Sequence, residues 1–143
     1  MAVASILAQK GREVVTASPD RSLQDVATIL AERKIGAIVI TDNDGKVLGM
    51  LSERDIVRAM AREGASALDD PVSRHMTERV VTTTEDATIP GTMELMTSGR
   101  FRHLPVIAND RLVGMISIGD IVKWRLAEIE SEHQALREYI ATA

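Results

Sequence analysis

One nine-residue pattern occurs twice in this 143-residue chain, as GMLSERDIV at residues 49–57 and as GMISIGDIV at residues 114–122. Further out from this pattern, Val14-Val15-Thr16 matches Val80-Val81-Thr82. The spacing between the copies shortens by one residue at Gly45, in a turn, where an insertion is best tolerated. Similarity at a nearly fixed period indicates two copies of one structural unit.

Each copy is predicted to form a β-α-β-β-α unit of an α/β protein. Residues 13–16 are rich in β-branched side chains and favour a strand. Leu23, Val26, Ala27 and Leu30 recur at helical spacing behind the cap Ser22. Further strands are expected at 35–41 and 47–51, followed by a helix that begins at Ser52 and ends at Gly64. The second copy is expected to have strands at 79–82, 104–107 and 112–116, a helix at 89–98 and a helix from Ser117.

The two repeats are expected to pack together with pseudo-twofold symmetry. One copy alone would bury only roughly 60% of the surface that its unfolded chain exposes. We therefore expect the copies to share one core and to form two equivalent clefts. The expected boundaries are 1–62 for an N-terminal segment and the first repeat, 63–76 for a connector, 77–125 for the second repeat and 126–143 for a C-terminal helical extension.

Composition excludes several classes of protein. The chain has 17 Lys and Arg against 21 Asp and Glu, a net charge of −4, and only 2% aromatic residues, which argues against a nucleic-acid-binding surface. It has no cysteine, so disulfides and thiolate metal sites are excluded. The sequence predicts no membrane span and no export signal, and we expect a cytoplasmic location.

The sequence contains no recognisable catalytic motif. The three histidines, His75, His103 and His133, are far apart, and none belongs to an H-E-x-x-H pattern, so no metal site is expected. A G-x-S-x-G elbow, a P-loop and a G-x-G-x-x-G pattern are all absent. We expect a protein that is not an enzyme and requires no cofactor.

The repeated Ser-x-x-Asp element allows two interpretations. Ser52 with Asp55, and Ser117 with Asp120, have the spacing of a capping box at a helix N-terminus. A carboxylate at such a position also suits the two hydroxyls of a ribose, while the helix N-terminus and an arginine such as Arg54 favour phosphate. On the residues alone, capping is the stronger interpretation.

The doubled β-α-β-β-α unit with its Gly-h-h-Ser-x-x-Asp element (h, apolar) resembles a tandem pair of cystathionine-β-synthase (CBS) domains, the Bateman module. The segments KIGAIVI (34–40) and FRHLPVI (101–107) are also similar to one element of that family. The resemblance covers about residues 10–125. We expect no attached catalytic, channel or transporter domain, and in this the chain resembles stand-alone CBS-pair proteins.

This resemblance implies binding of an adenosine-containing ligand: AMP, ADP or ATP, with NAD(H) or S-adenosylmethionine as further candidates. In one cleft the implied site residues are Ser52, Arg54, Asp55, Val81 and Thr82. In the other they are Ser117, Asp120, Thr16, Ala17, Lys34, Ile35, Gly36 and Ala37, and Arg102 and His103 lie near the centre and serve either cleft. Because Glu53-Arg54 is replaced by Ile118-Gly119, we expect unequal sites, with the Arg54 site the better one for di- and triphosphates.

Self-association is expected through the last helix. Val122, Leu126, Ile129, His133, Leu136 and Ile140 recur at heptad spacing beyond the second repeat. We therefore expect a homodimer, which a partner protein would read when ligand binds. A structural dimerisation module with vestigial clefts is the alternative, and a nucleotide-hydrolysing enzyme is the weakest hypothesis.

Overall fold

The computed structural model describes residues 2–142, which form two similar halves after a short helix. The short helix is α1 (Val3–Lys10), and the first half comprises β1 (Thr16–Ala17), α2 (Leu23–Arg33), β2 (Ala37–Thr41), β3 (Val47–Ser52) and α3 (Glu53–Glu63). A connector follows, with 3-10 helices at Gly64–Asp69 and Val72–Arg74. The second half comprises α4 (Ile89–Gly99), β4 (His103–Ala108), β5 (Arg111–Ser117) and α5 (Ile118–Thr142). The predicted α/β class is confirmed.

An antiparallel hairpin lies at the centre of each half, and the two hairpins have the same register. Ala37 pairs with Ser52 in the first half, and His103 pairs with Ser117 in the second. Backbone bonds repeat as well, since the Glu53 N–H donates to Gly36 O (3.0 Å) and the Ile118 N–H donates to Arg102 O (2.8 Å). Each motif serine therefore lies at the end of the second strand of its hairpin, opposite the first residue of the first strand.

The strand predicted at 79–82 does not form, and this prediction was wrong. In the first half, β1 runs parallel to β2, with Thr16 opposite Val39 and Ala17 opposite Ile40. The second half keeps only one bridge, between Thr83 and Val106, so its sheet has two strands. The missing pair would place position 82 opposite Pro105, which has no N–H to donate to a neighbouring strand.

Two cores form instead of the single shared core that the sequence led us to expect. The first contains residues of α2, β2, β3 and α3 together with Ala67 and Val72 of the connector, both 0% exposed. The second contains residues of α4, β4, β5 and α5 together with Val3, Ile6 and Leu7 of α1. Each repeat thus completes its own core with a segment from outside the repeat, and α1 packs on the second repeat although it precedes the first.

The motif glycines make room for these covering segments. A Cβ at Gly49 would lie 2.5 Å from Met76 Sδ, at the end of the connector, and a Cβ at Gly114 would lie 2.8 Å from Leu7 Cδ2, on α1. Both distances are too short for a real contact, so any side chain at either glycine would force the packed side chain of Met76 or Leu7 to shift. The first residue of each motif therefore serves packing.

Replacement of Leu7 by alanine tests the role of α1. Leu7 is 1% exposed, and its loss should lower the free energy of unfolding by about 2–5 kcal/mol, as for other buried Leu-to-Ala changes. Urea unfolding followed by circular dichroism measures the change. Gln9→Ala, at an exposed position of the same helix, is the control and should change stability by less than about 0.5 kcal/mol. Equal stability of the two variants would contradict the packing described.

Candidate functional site

The motif serine and aspartate form reciprocal caps in both repeats, as the capping interpretation predicted. The Ser52 N–H donates to Asp55 Oδ2 (2.9 Å), and the Asp55 N–H donates to Ser52 Oγ (3.3 Å). The corresponding bonds of Ser117 and Asp120 measure 2.9 and 3.1 Å. Both caps use Oδ2 of the carboxylate. Capping and ligand binding are therefore compatible, because the second oxygen is not needed for the cap.

A cleft of ≈ 540 Å³ opens between the two repeats beside Asp55, and we call it the first cleft. It brings together most of the residues predicted for the Arg54 side of the molecule. Those that line it are Ser52, Arg54, Asp55, Val81, Arg102 and His103. Thr82, predicted beside Val81, is not among the lining residues. Residues from positions far apart in the chain thus meet in one cavity.

Five arginines surround the first cleft, which is more than the sequence analysis named. They are Arg54, Arg58, Arg79, Arg100 and Arg102. Among residues 2–142, none of the five forms an ion pair, and Glu53 and Asp55 are the acidic side chains on the lining. This concentration of positive charge stands out in a chain whose net charge is −4. Unpaired guanidinium groups around a cavity suit an anion with several oxygens.

The symmetry between the repeats predicts a role for Arg100, because Arg100 occupies the position in the second repeat that Lys34 occupies in the first. Arg100 ends α4 in the left-handed conformation (φ 57°), and Lys34 ends α2 in the same way (φ 55°). Lys34 was named from the resemblance, so symmetry between the repeats pointed to Arg100 as well. Arg58 and Arg79 carry no comparable signal, because their positions depend on the helix direction and on the path of the connector.

His103 occupies the centre of the molecule and does not add charge. A Cβ at Gly36 would lie 4.0 Å from His103 Cε1 and 3.5 Å from Glu53 Oε1, so these groups are neighbours. Burial is the main cause that lowers the pKa of His103 below its ordinary value of 6.5. The charges of Lys10 and Arg102 lower this pKa as well, whereas the charges of Asp120 and Glu53 raise it. The imidazole is therefore neutral near pH 7 and can act as a hydrogen-bond donor or acceptor.

The residues predicted for the second cleft do not come together as expected. Gly36 and Ala37 line the first cleft instead. Ala17 is 9% exposed within the first core, Ile35 packs against that core, and Lys34 and Thr16 are exposed. Gly36 and Ala37 lie beside Arg102 and His103 on the lining of the first cleft. Their assignment to one particular cleft could not be made from the sequence.

Asp120 is held by a lysine that the sequence analysis did not consider. Lys10 Nζ, at the end of α1, lies 2.7 Å from Asp120 Oδ2 and also donates to Met115 O (2.9 Å). Burial by itself raises the pKa of Asp120, but the hydrogen bonds from Lys10 and Ser117 and the lysine charge outweigh it, so the pKa lies below its ordinary value. The carboxylate of the second motif thus forms an ion pair with Lys10, whereas Asp55 forms no ion pair within residues 2–142.

A cluster of charged side chains and a histidine holds the connector in its bent conformation. His75 Nε2 lies 2.9 Å from Asp70 Oδ2 and 3.7 Å from Glu63 Oε2. The Arg74 guanidinium contacts the other oxygen of each carboxylate, at 3.2 Å from Glu63 Oε1 and 3.3 Å from Asp70 Oδ1. The three donor atoms are close enough for a metal ion, but the guanidinium already supplies positive charge to both carboxylates. Sequence spacing missed this cluster because a bend of the connector creates it.

None of the helices in residues 2–142 combines the length and the apolar character that a membrane span requires.

Comparison with protein families identifies the class. The CBS domain model matches this chain twice, at residues 5–62 and 72–127, so the chain belongs to the CBS domain family. It is similar to the mitochondrial CBS domain-containing protein CBSX3 of Arabidopsis thaliana, at 30% identity over 96% of this chain and 71% of that protein. It also resembles the CBS domain-containing protein YhcV of Bacillus subtilis, at 29% identity over 76% of each.

Solved structures agree with this assignment. The CBS-domain containing protein ATU1752 from Agrobacterium tumefaciens superposes with a TM-score of 0.83 at 51% identity, covering 87% of this chain and 99% of that one. The CBS domain pair of MJ0100, solved with 5′-methylthioadenosine and S-adenosyl-L-methionine, has a TM-score of 0.77 at 26% identity, covering 87% and 98%. The second of these proteins thus holds adenosine-containing molecules.

Removal of the Lys10 charge should raise the pKa of Asp120. In Lys10→Met the carboxyl loses its strongest favourable partner while its burial remains, so its titration should move upward. Carbon-detected NMR of the aspartate carboxyls measures this. Because the folded-state pKa is depressed, the pair stabilises the protein above the unfolded pKa, and this stability is lost as the pH falls through the folded value. The control is Lys123→Met, and an unchanged Asp120 titration in Lys10→Met would contradict the ion pair.

Proposed function

We propose that this chain is a non-catalytic regulatory module of the cytoplasm that binds an adenine nucleotide with two or three phosphates in the first cleft. The observation that carries this proposal is the combination of a helix-capping aspartate and five unpaired arginines around one cavity of ≈ 540 Å³. A cavity of this size, within the range of small-molecule sites, supports a ligand over a scaffold with vestigial clefts.

Asp55 is proposed to bind the ribose. Ser52 donates to Oδ2 from both its N–H (2.9 Å) and its hydroxyl (3.1 Å), and this fixes the carboxylate at the mouth of α3. The remaining acceptor capacity suits a vicinal diol, which donates two hydrogen bonds to one carboxylate. A rigid acceptor also loses little conformational freedom on binding, so the interaction is specific for a group with two adjacent hydroxyls.

The arginines are proposed to bind the phosphates. Arg54 follows Ser52 at the start of α3, where the N-terminal N–H groups also favour an anion. Arg79 enters from the segment that follows the connector, and Arg100 and Arg102 enter from around the end of α4 and the start of β4. Five guanidinium groups repel one another, and a ligand with several negative charges relieves that repulsion. A diphosphate or triphosphate fits this cleft better than a monophosphate.

The ligands of MJ0100 support the adenosine class but differ in charge. 5′-Methylthioadenosine has no phosphate, and S-adenosyl-L-methionine carries a positively charged sulfonium. A cleft lined by five arginines disfavours an added cation near the same place. We therefore propose ADP or ATP as the ligand, with AMP and NAD(H) next and S-adenosylmethionine last.

A homodimer is proposed to transmit the ligand signal. The second helix of each repeat leaves the last residue of its motif exposed, at 66% for Val57 and 52% for Val122. Leu126, Leu136 and Ile140 are also more than half exposed along the extension of α5. Since α3 begins at the proposed ligand site, a nucleotide that binds one arrangement of α3 better than another shifts the dimer between them.

Replacement of Asp55 by alanine should weaken ADP binding. Loss of a hydrogen bond to a charged group costs about 1.5–3 kcal/mol, so the dissociation constant should rise roughly 10- to 100-fold. Isothermal titration calorimetry of the full chain measures this. Asp25→Ala is the matched control, because Asp25 follows the cap Ser22 with the same spacing but outside the first cleft. Equal affinity of Asp55→Ala and Asp25→Ala would sink the ribose assignment.

Replacement of Val57 by glutamate should dissociate the dimer. A charge placed within an apolar interface is desolvated without a partner, so association should weaken at least tenfold. Sedimentation velocity at several concentrations measures the subunit equilibrium. Thr97→Glu introduces the same charge on an exposed face of α4 and is the control. A wild-type chain that sediments as a monomer at all concentrations would overturn the proposed dimer.

A further inference from the structure

The last helix extends beyond the part of the chain that packs on the second core. α5 has 25 residues and ends at Thr142, and every residue from 131 to 142 is exposed. At about 1.5 Å per residue, this uncovered part is roughly 18 Å long. A helix of about 12 residues is only marginally stable in water when nothing packs against it. The extension therefore needs a cover that residues 2–142 do not supply.

One side of α5 is apolar and differs from the side that covers the second core. Ile121, which is 2% exposed, and Trp124 pack on that core. The heptad residues of the helix lie roughly a third of a turn away from these two. We call them the seam, and they are Val122, Leu126, Ile129, His133, Leu136 and Ile140. Four of the six are more than half exposed, so most of the seam is available to a second helix.

The residues that flank the seam are charged. In heptad terms, with the seam at positions a and d, Arg125 and Glu132 occupy position g. Glu130 and Arg137 occupy position e. In a parallel pair of helices, a residue at g faces the next e position of the partner helix. Arg125 would then face the partner's Glu130, and Glu132 would face the partner's Arg137, so both pairs attract.

An antiparallel pair of the same helices would repel. In that arrangement g faces g and e faces e, and full overlap of the two seams places Glu132 beside the partner's Glu132. Glu130 likewise faces its own copy, and Lys123 faces the partner's Arg137. Neither Glu132 nor Arg137 forms an ion pair within residues 2–142, so both are available across an interface. Charge complementarity thus selects one of the two orientations.

From the exposed seam and its flanking charges we infer that two copies of the chain pair their last helices as a parallel two-stranded coiled coil over residues 122–140. This inference rests on the proposed homodimer and adds its orientation. His133 is the polar member of the seam and occupies position a, where it meets the partner's His133. A polar residue at a single a position fixes the register of such a pair. The twofold axis then runs along the helices, so the Asp120 ends of both chains lie together.

Single-cysteine variants test the orientation, because the natural chain has no cysteine. Ile140→Cys should give a disulfide-linked dimer in a glutathione buffer, since facing a positions of parallel helices lie within disulfide reach. In an antiparallel pair the two copies of position 140 would lie about 27 Å apart and stay unlinked. Ser131→Cys, on the opposite side of the helix from the seam, is the matched control and should stay unlinked. Non-reducing electrophoresis measures the linked fraction.

Charge reversal tests the flanking pairs independently. Glu132→Lys places a cation opposite the partner's Arg137 at two symmetric places, so the dissociation constant of the dimer should rise roughly threefold or more. Addition of Arg137→Glu to this variant should restore the wild-type value. Glu138→Lys makes the same charge change away from the seam and is the control. Sedimentation velocity at several concentrations measures the constants, and equal values for Glu132→Lys and Glu138→Lys would contradict the charge pairs.

The possible outcomes separate this inference from the proposed function. A disulfide that forms only when Val122→Cys is combined with Ile140→Cys would show an antiparallel pair and overturn the inference. The absence of any disulfide in a chain that sediments as a dimer would also overturn it and leave the proposed homodimer standing. A wild-type chain that sediments as a monomer would overturn both. ADP binding by calorimetry reports on the first cleft in every case.

Discussion

Each repeat is too small to cover its own sheet, and the structure depends on this constraint. A unit of this size leaves too much apolar surface exposed to be stable alone, so both repeats take a covering segment from outside. The first uses Ala67 and Val72 of the connector, and the second uses α1. The motif glycines Gly49 and Gly114 allow these segments to lie directly on the strands. The two repeats therefore have similar folds, but the segments that cover their cores come from different parts of the chain.

The difference between the covers makes the two motifs chemically unequal. The connector continues from Met76 along the first cleft and brings Arg79 to its edge. The other cover, α1, ends at Lys10, whose ammonium contacts Asp120. One covering segment thus supplies a cation to an open cavity, and the other supplies a cation to the motif carboxylate itself. The two copies of one pattern have different neighbours because the residues around each copy come from unrelated parts of the chain.

The first cleft concentrates positive charge from five exposed arginine side chains. Five arginines without ion pairs among the described residues raise the positive potential of one cavity, and this repulsion opposes folding. A purely structural module would gain stability by pairing these guanidiniums with acidic side chains, which the chain has in excess. Because α3 begins at this cavity, the lining residue Arg54 belongs to the same helix as the exposed apolar residue Val57.

The amino-acid sequence was sufficient for the repeats, the hairpins, the serine caps and the grouping of Ser52, Arg54 and Asp55, because these follow from neighbouring residues and helical or strand periodicity. From the sequence we expected one core shared by both repeats and a strand at 79–82, and both expectations were wrong. It also missed the contact of Lys10 with Asp120 and the entry of Arg79 into the first cleft. These features depend on which distant segment covers which sheet, and no local pattern carries that information.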